Sequence, residues 1–282
     1  MPNVKIVTDS LADIPPSILK ELDITTIPCI VRFGQHEYRD RIDLSLNQFY
    51  EQLVSSSTLP ATSQPSVGTF ELVYHDLSAR TNQILSIHVI GSLSGTFNTA
   101  RLAADGIASD KVAIEVIDSH QISMAVGWLV ILAARAAHAG FSLGEIKAIV
   151  EDAVQRVHLI AMLNTLEYAK RSGRLGKGAA LIGTLLNVKP LLSLNRDEIV
   201  IVEIIRTQKR ALERLSEIVL ASGPIQELAV IHAAAEQHAQ ELKRVLSDTF
   251  PEEQIVLSET GPVLGAHVGP GAVGIAWLTG KY

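Results

Sequence analysis

The chain has 282 residues, 47% of them hydrophobic, and a formal net charge of −6. That length supplies a large core and suits two domains or one large one, while the acidic balance speaks against general nucleic-acid binding, which needs a basic face. A lone cysteine, Cys29, excludes an intrachain disulfide and a Cys-based metal cage. The start, Met1-Pro2-Asn3-Val4-Lys5, runs straight into a strand-like apolar stretch without the basic region of a signal peptide. The longest apolar run, Met124 to Ala134, is too short to span a bilayer and reads as a buried helix. A cytoplasmic protein is expected.

Val4 to Val7 reads as a short strand, and Asp13 as the cap of a helix whose first turn holds Pro15 and Pro16. Thr26 to Phe33 reads as one strand and Ser45 to Leu53 as a helix. Ser66 is expected to cap a helix over Val67 to Leu77. Gln83 to Ile90 reads as a strand, Thr96 to Ala104 as a helix, and Val112 to Ile117 as a strand. Helices follow over Met124 to Ala139 and Leu143 to Val157. This alternation predicts a mostly parallel sheet with helices on both faces.

Beyond about Arg156 the pattern changes. His158 to Leu163 reads as a strand, and Leu166 to Leu186 as helical but broken by glycines. Lys189 to Leu194 and Ile199 to Ile205 read as strands around the turn Asn195-Arg196-Asp197. Gln208 to Leu220 is an amphipathic helix. Leu228 to His232, Glu236 to Leu246 and Gln254 to Leu257 read as strand, helix, strand. A glycine-rich stretch, Gly261 to Gly274, leads into a last strand, Val273 to Leu278. The expected division is an N-terminal α/β domain over 1–157 and a C-terminal α/β domain with a mixed sheet over 158–282.

Two Ser/Thr-rich turns stand out: Thr62-Ser63-Gln64-Pro65-Ser66 and Ser92-Leu93-Ser94-Gly95-Thr96. Such turns aim hydroxyls and free backbone N–H groups at one spot, which suits an anionic head group. In an open parallel sheet, ligands bind beyond the carboxyl ends of the strands, where Ser94 is expected. The plainer reading is that both turns only cap helices. A third candidate is His267, in His267-Val268-Gly269-Pro270-Gly271, where glycines allow close backbone approach and the ring offers a donor. Its plainer reading is a surface turn with an incidental histidine.

Other motifs fail. Gly91-Ser92-Leu93-Ser94-Gly95 has Leu93 where a nucleophile elbow needs serine. Gly173-Arg174-Leu175-Gly176-Lys177-Gly178 has the wrong spacing for a phosphate loop. The histidines show no metal spacing, so no metal and no cofactor are expected. Basic residues gather at Lys170, Arg171, Arg174 and Lys177, and again at Arg206, Lys209, Arg210 and Arg214. They read either as a docking face or as solvated helix faces.

Taken in order, these pieces resemble the DegV family of fatty-acid-binding proteins along nearly the whole chain. The matching segments are Ile6-Val7-Thr8-Asp9-Ser10 with Asp13, Thr62 to Ser66, Ser92 to Thr96, Val116-Ile117-Asp118-Ser119, Leu166-Glu167-Tyr168 with Arg171-Ser172-Gly173-Arg174, Lys189-Pro190, and His267 to Gly271. Ser172 departs from the family's usual glycine. The resemblance implies a two-domain α/β fold with a long-chain fatty acid between the domains. It implies that Thr62 and Ser94 hold the carboxylate and that His267 belongs to the same network. It also implies a partner, a fatty acid kinase that makes an acyl-phosphate for phospholipid synthesis, with Arg171, Arg174 and Arg206 tied to docking. A transient membrane contact is compatible with such a carrier.

An acyl chain of about fifteen methylenes gains roughly 12 kcal/mol on burial. Association costs of about 4 kcal/mol or more reduce this without removing it. An unpaired buried carboxylate would cost several kcal/mol, which charge-assisted bonds from Thr62 and Ser94 would offset. His267 is expected to add a donor, with a charge that can be tuned near neutral pH. The carrier, which is not an enzyme, competes with a Ser94/His267 acyl hydrolase and with a lipid-responsive regulator. No residue stands out to orient His267 as a base.

Overall fold

The computed structural model describes residues 3–108, 111–175, 188–195 and 197–280. By its internal contacts the chain forms two compact units, Met1–Ile30 with Ser63–Val157, and Val31–Thr62 with His158–Tyr282. One crossing falls at residue 157. The segment Val31–Thr62, expected in the first domain, groups with the second.

The first unit is built on a four-stranded sheet. Its strands are β1 (Val4–Asp9), β2 (Thr25–Ile27), β6 (Gln83–His88) and β7 (Ala113–Asp118), in the order β2-β1-β6-β7. Every pairing is parallel, with Val7 beside Thr25 and Ser86, and His88 beside Asp118. Every residue of β1 is buried, as a strand covered on both faces requires. Val7, Ile27 and Ile84 pack under α3 (Val67–Ser78) and α4 (Thr96–Ile107), against Phe70, Tyr74, Ala100 and Ala104. Helices α5 (Met124–His138) and α6 (Leu143–Val154) pack on each other and on β6. The apolar run becomes α5, whose Met124 to Ile131 are all buried. No described helix is long and apolar enough to cross a membrane.

The second unit carries a six-stranded mixed sheet. Its strands are β8 (Val157–Met162), β9 (Lys189–Asn195), β10 (Glu198–Ile205), β11 (Ile225–His232), β12 (Ile255–Glu259) and β13 (Val273–Thr279), in the order β10-β9-β8-β13-β11-β12. Antiparallel pairing joins β10 to β9, β9 to β8 and β11 to β13, while β11 and β12 are parallel. Leu191, Val230, Ile275 and Trp277 on one face receive α8 (Gln208–Leu220) and α9 (Glu236–Ser247) through Leu212, Leu215, Leu242 and Leu246.

A small sheet, β4-β3-β5, belongs to the excursion over 31–62. It comprises β3 (Ile30–Phe33), β4 (His36–Arg39) and β5 (Ala61–Ser63), with α2 (Leu46–Ser55) between β4 and β5. Ser45 caps α2 in a reciprocal box with Gln48.

Several expectations are corrected. Thr26 to Phe33 is not one strand: Pro28-Cys29 separates β2 from β3, which lie in different sheets. Proline lacks the N–H that a continuous ladder needs. Asp13 does not cap α1 (Pro16–Glu21), whose N-cap Pro15 makes no side-chain bond; Asp13 has φ 51° and accepts from Ser123 Oγ at 2.7 Å. The glycine-rich stretch holds a helix, α10 (Pro262–Val268), which proline opens and Gly269 closes. The broken helix over Leu166–Leu186 reduces to α7 (Glu167–Arg171) in the part described; 176–187 and Arg196 lie outside the described residues.

Candidate functional site

Thr62 and His267 meet in the second unit, 205 residues apart in sequence. Thr62 sits in the middle of β5 rather than in a pre-helix turn, and His267 sits on the last turn of α10. Thr62 Oγ1 lies 3.0 Å from His267 Nε2. The other ring nitrogen, Nδ1, is buried and has no hydrogen-bond partner among the described residues.

Burial, reinforced by the positive charge of Arg174, pushes the His267 pKa down to about 4. The ring is therefore neutral near pH 7 and brings no positive charge: desolvation removes the cation that the free side chain would form below about 6.5. A neutral imidazole carries one N–H, and both placements of that proton have a consequence. If Nε2–H donates to Thr62 Oγ1, the threonine proton is left to point at another acceptor. If Nδ1 carries the proton, Thr62 donates to Nε2, and Nδ1–H is a buried donor without a mate. Either way one proton of the pair, the Thr62 hydroxyl's or Nδ1–H, is left for an anionic oxygen to accept.

The helix carrying His267 is held from α7. A Cβ on Gly269, which has φ +71°, would fall 2.2 Å from Tyr168 Cδ2, so only glycine lets that ring close over the end of α10. Just past α7, Arg174 Nη1 donates to Ser172 O at 2.7 Å.

Ser94 lies in the first unit, past the carboxyl end of β6, as expected for a parallel sheet. Its N–H donates to Ile90 O at 3.2 Å, and its Oγ accepts from Thr96 N at 3.3 Å and lies 2.8 Å from Thr96 Oγ1. The cap position of α4 is Gly95, which has no side chain to offer, so the Ser94 hydroxyl covers one of the free amides of the first turn. A Cβ on Gly95 would fall 3.0 Å from Gln64 Cδ, so the two Ser/Thr-rich segments touch through Gln64 and Gly95.

What holds the Ser94 loop was not legible in the motifs. Asp9 at the end of β1 accepts from Val89 N at 3.0 Å and Leu11 N at 3.0 Å, and its Oδ2 lies 2.9 Å from His88 Nδ1. His88 Nε2 is 2.6 Å from Ser86 Oγ, which accepts from Tyr74 Oη at 2.8 Å. Asp118 of β7 takes Gly91 N at 3.0 Å. Carboxylates from the two flanking strands thus pin the loop that leaves β6. The sequence signal was Ser86 and His88 at a two-residue spacing, which puts both on one face of the strand.

The docking candidates are all exposed. Arg171 pairs with Glu167 at 3.2 Å along α7, and Arg206 stands between β10 and the Thr207 cap of α8. Arg210 and Arg214 of the same cluster are engaged instead by Glu217, at 2.5 and 3.0 Å, with Glu203 adding a contact to Arg214 at 2.8 Å. That half of the cluster is a solvated helix face. Lys177 lies outside the described residues. Among the described residues no group of three or more His, Cys, Asp or Glu side chains is placed to hold a metal ion.

Comparison with known proteins agrees with the resemblance. Residues 3–280 match the model of a family described as "Uncharacterised protein, DegV family". Protein DegV of Bacillus subtilis strain 168 is 36% identical over 280 residues, covering 98% of this chain and 99% of that protein. The crystal structure of DegV from Bacillus subtilis, described as a fatty acid binding protein, superposes with a TM-score of 0.90 at 34% identity, over 99% of this chain and 100% of that one. A Thermus thermophilus protein whose structure is described as fatty acid binding of a DegV family protein has a TM-score of 0.90 at 29% identity, covering 98% and 99% of the two chains. The family match spans both units and both Ser/Thr-rich segments, and on it we conclude that this chain belongs to the DegV family.

Proposed function

We propose that this chain binds a long-chain fatty acid, with Thr62, His267 and Ser94 as donors to its carboxylate. The observation that carries the reading is His267: a buried neutral ring, bonded to a threonine hydroxyl, with its second nitrogen unpartnered. Such a pair donates to one anion and gives up no charge of its own. The relatives described as fatty acid binding support the same ligand class. In this reading the acyl chain supplies most of the affinity, and the polar residues supply preference for the acid.

The test compares a long-chain acid with the alcohol of equal chain length. Losing one bond to a charged acceptor costs about 1.5–3 kcal/mol, or roughly 10- to 100-fold in Kd. Thr62→Val and Ser94→Ala should each weaken the acid by about that factor and leave the alcohol unchanged. Equal affinity of both variants and wild type for the acid would remove these residues from the assignment.

We further propose that the bound acid is presented to a fatty acid kinase for acyl-phosphate formation, with Arg171, Arg174 and Arg206 at the contact. Their exposure supports this. Arg206→Glu should abolish acyl-phosphate formation with such a kinase while lipid binding persists. The acyl-hydrolase alternative is disfavoured by His267, whose Nδ1 has no carboxylate to orient it among the described residues. The Ser86–His88–Asp9 chain has triad-like connectivity, but all three side chains are fully buried, so no ester can reach Ser86.

A further inference from the structure

The excursion that carries Thr62 is pinned to the start of the helix that carries His267. Arg41 Nη2 donates to Glu259 O, and Tyr50 Oη donates to Thr260 O at 3.1 Å. Those carbonyls are the last two before Gly261, the N-cap of α10. Gly261 and Gly265 then present a flat face, four residues apart on one side of the helix. A Cβ on Gly261 would fall 2.9 Å from Arg41 Nε and 3.0 Å from Asp40 Oδ1. A Cβ on Gly265 would fall 2.8 Å from both Phe49 Cε1 and Tyr50 Oη. Arg41 itself sits at φ 62°, in the left-handed region that residues other than glycine seldom adopt. Asp40, Phe49 and Tyr50 are all buried.

The placement of Thr62 depends on this clamp for a simple reason. β5 is three residues long, too short to fix a side chain by its own ladder. The segment from Val31 to Thr62 has its own cap and small sheet, but its position against α10 comes from side chains that reach across to backbone oxygens and small residues. We propose that Arg41 and Tyr50 are positioning residues, whose clamp on the Gly261/Gly265 face of α10 sets the contact between Thr62 and His267. Neither residue touches the ligand in this account. The consequence for binding rests on the carboxylate reading above, but the geometry of the pair does not.

The test therefore reads the ring directly, in lipid-free protein, by ¹⁵N NMR of His267 through a pH titration. Tyr50→Phe removes one hydroxyl and keeps the ring that fills the space beside Gly265; Arg41→Ala removes the other arm. Thr62→Val gives the ¹⁵N shift of a ring without its partner, and Leu215→Ala, on the core face of α8, is a control that loosens the same unit away from the clamp. In both clamp variants the Nε2 shift should move toward the Thr62→Val value, and the ring should take up its proton at a higher pH, about tenfold more readily. Arg41→Lys, which restores a donor to Glu259 O, should return both readings toward wild type. Unchanged His267 signals in Tyr50→Phe and Arg41→Ala overturn the proposal, as does an equal change in Leu215→Ala. If Arg41→Ala does not fold, Tyr50→Phe decides alone. Absence of fatty acid binding in wild type would defeat the carboxylate reading and leave this result standing.

Discussion

Acidification should loosen the second unit through His267. The folded ring has a pKa of about 4, lowered chiefly by burial and also by Arg174, against about 6.5 when unfolded. Between those values the unfolded chain binds a proton that the folded chain refuses. Stability is therefore complete above about pH 6.5 and falls as the pH drops toward 4. For one such group the loss between about pH 7 and about pH 5 is roughly 2 kcal/mol. Urea unfolding at the two pH values measures it. The chain has two tryptophans, and replacing Trp128 by Phe leaves Trp277, in the second unit, as the reporter. His158 and His232 are also lowered by burial and contribute the same sign, so the informative quantity is the difference between wild type and His267→Gln. Glutamine fills similar space and does not titrate. If the two proteins lose equal stability on acidification, His267 is not the buried neutral group described, and the donor argument built on it fails. A bound carboxylate would favour the protonated ring, so saturation with fatty acid should shrink the loss.

Three further outcomes follow from the same contacts. His88→Ala takes the ring from both Asp9 and Ser86, leaving Asp9 its two amide donors and Ser86 only the Tyr74 hydroxyl; a loss of about 2–4 kcal/mol is expected in the first unit, with amide exchange at Val89 and Gly91 accelerating first. Gly269→Ala combines a positive φ with a clash on Tyr168, and should destabilise the second unit by more than the roughly 1 kcal/mol of an unstrained glycine position, as a thermal melt will show. Glu217→Gln, by contrast, breaks only exposed contacts with Arg210 and Arg214, so its melt should match wild type, and more closely as salt is added.

The sequence alone determined the alternation of strands and helices, the buried apolar run of α5, the amphipathic α8 and the change of pattern near residue 157. It could do so because periodicity and capping are local: Ser45 with Gln48, or Ser66 before Val67, carry their structural instruction within one turn. It also singled out Thr62, Ser94 and His267, since hydroxyl-rich turns and a histidine among glycines are visible as text. It misread Thr26 to Phe33 and the stretch around His267, because a proline between two apolar runs and a helix rich in glycine both look like something else until partners are supplied. Only tertiary structure decided that Thr62 bonds His267, that the ring is neutral, that 31–62 groups with the C-terminal residues, and that Asp9, His88 and Asp118 hold the Ser94 loop. Each of these rests on desolvation and on hydrogen bonds between residues far apart in the chain. Neither is encoded by any single segment; both arise when strands and helices bring distant side chains out of water together.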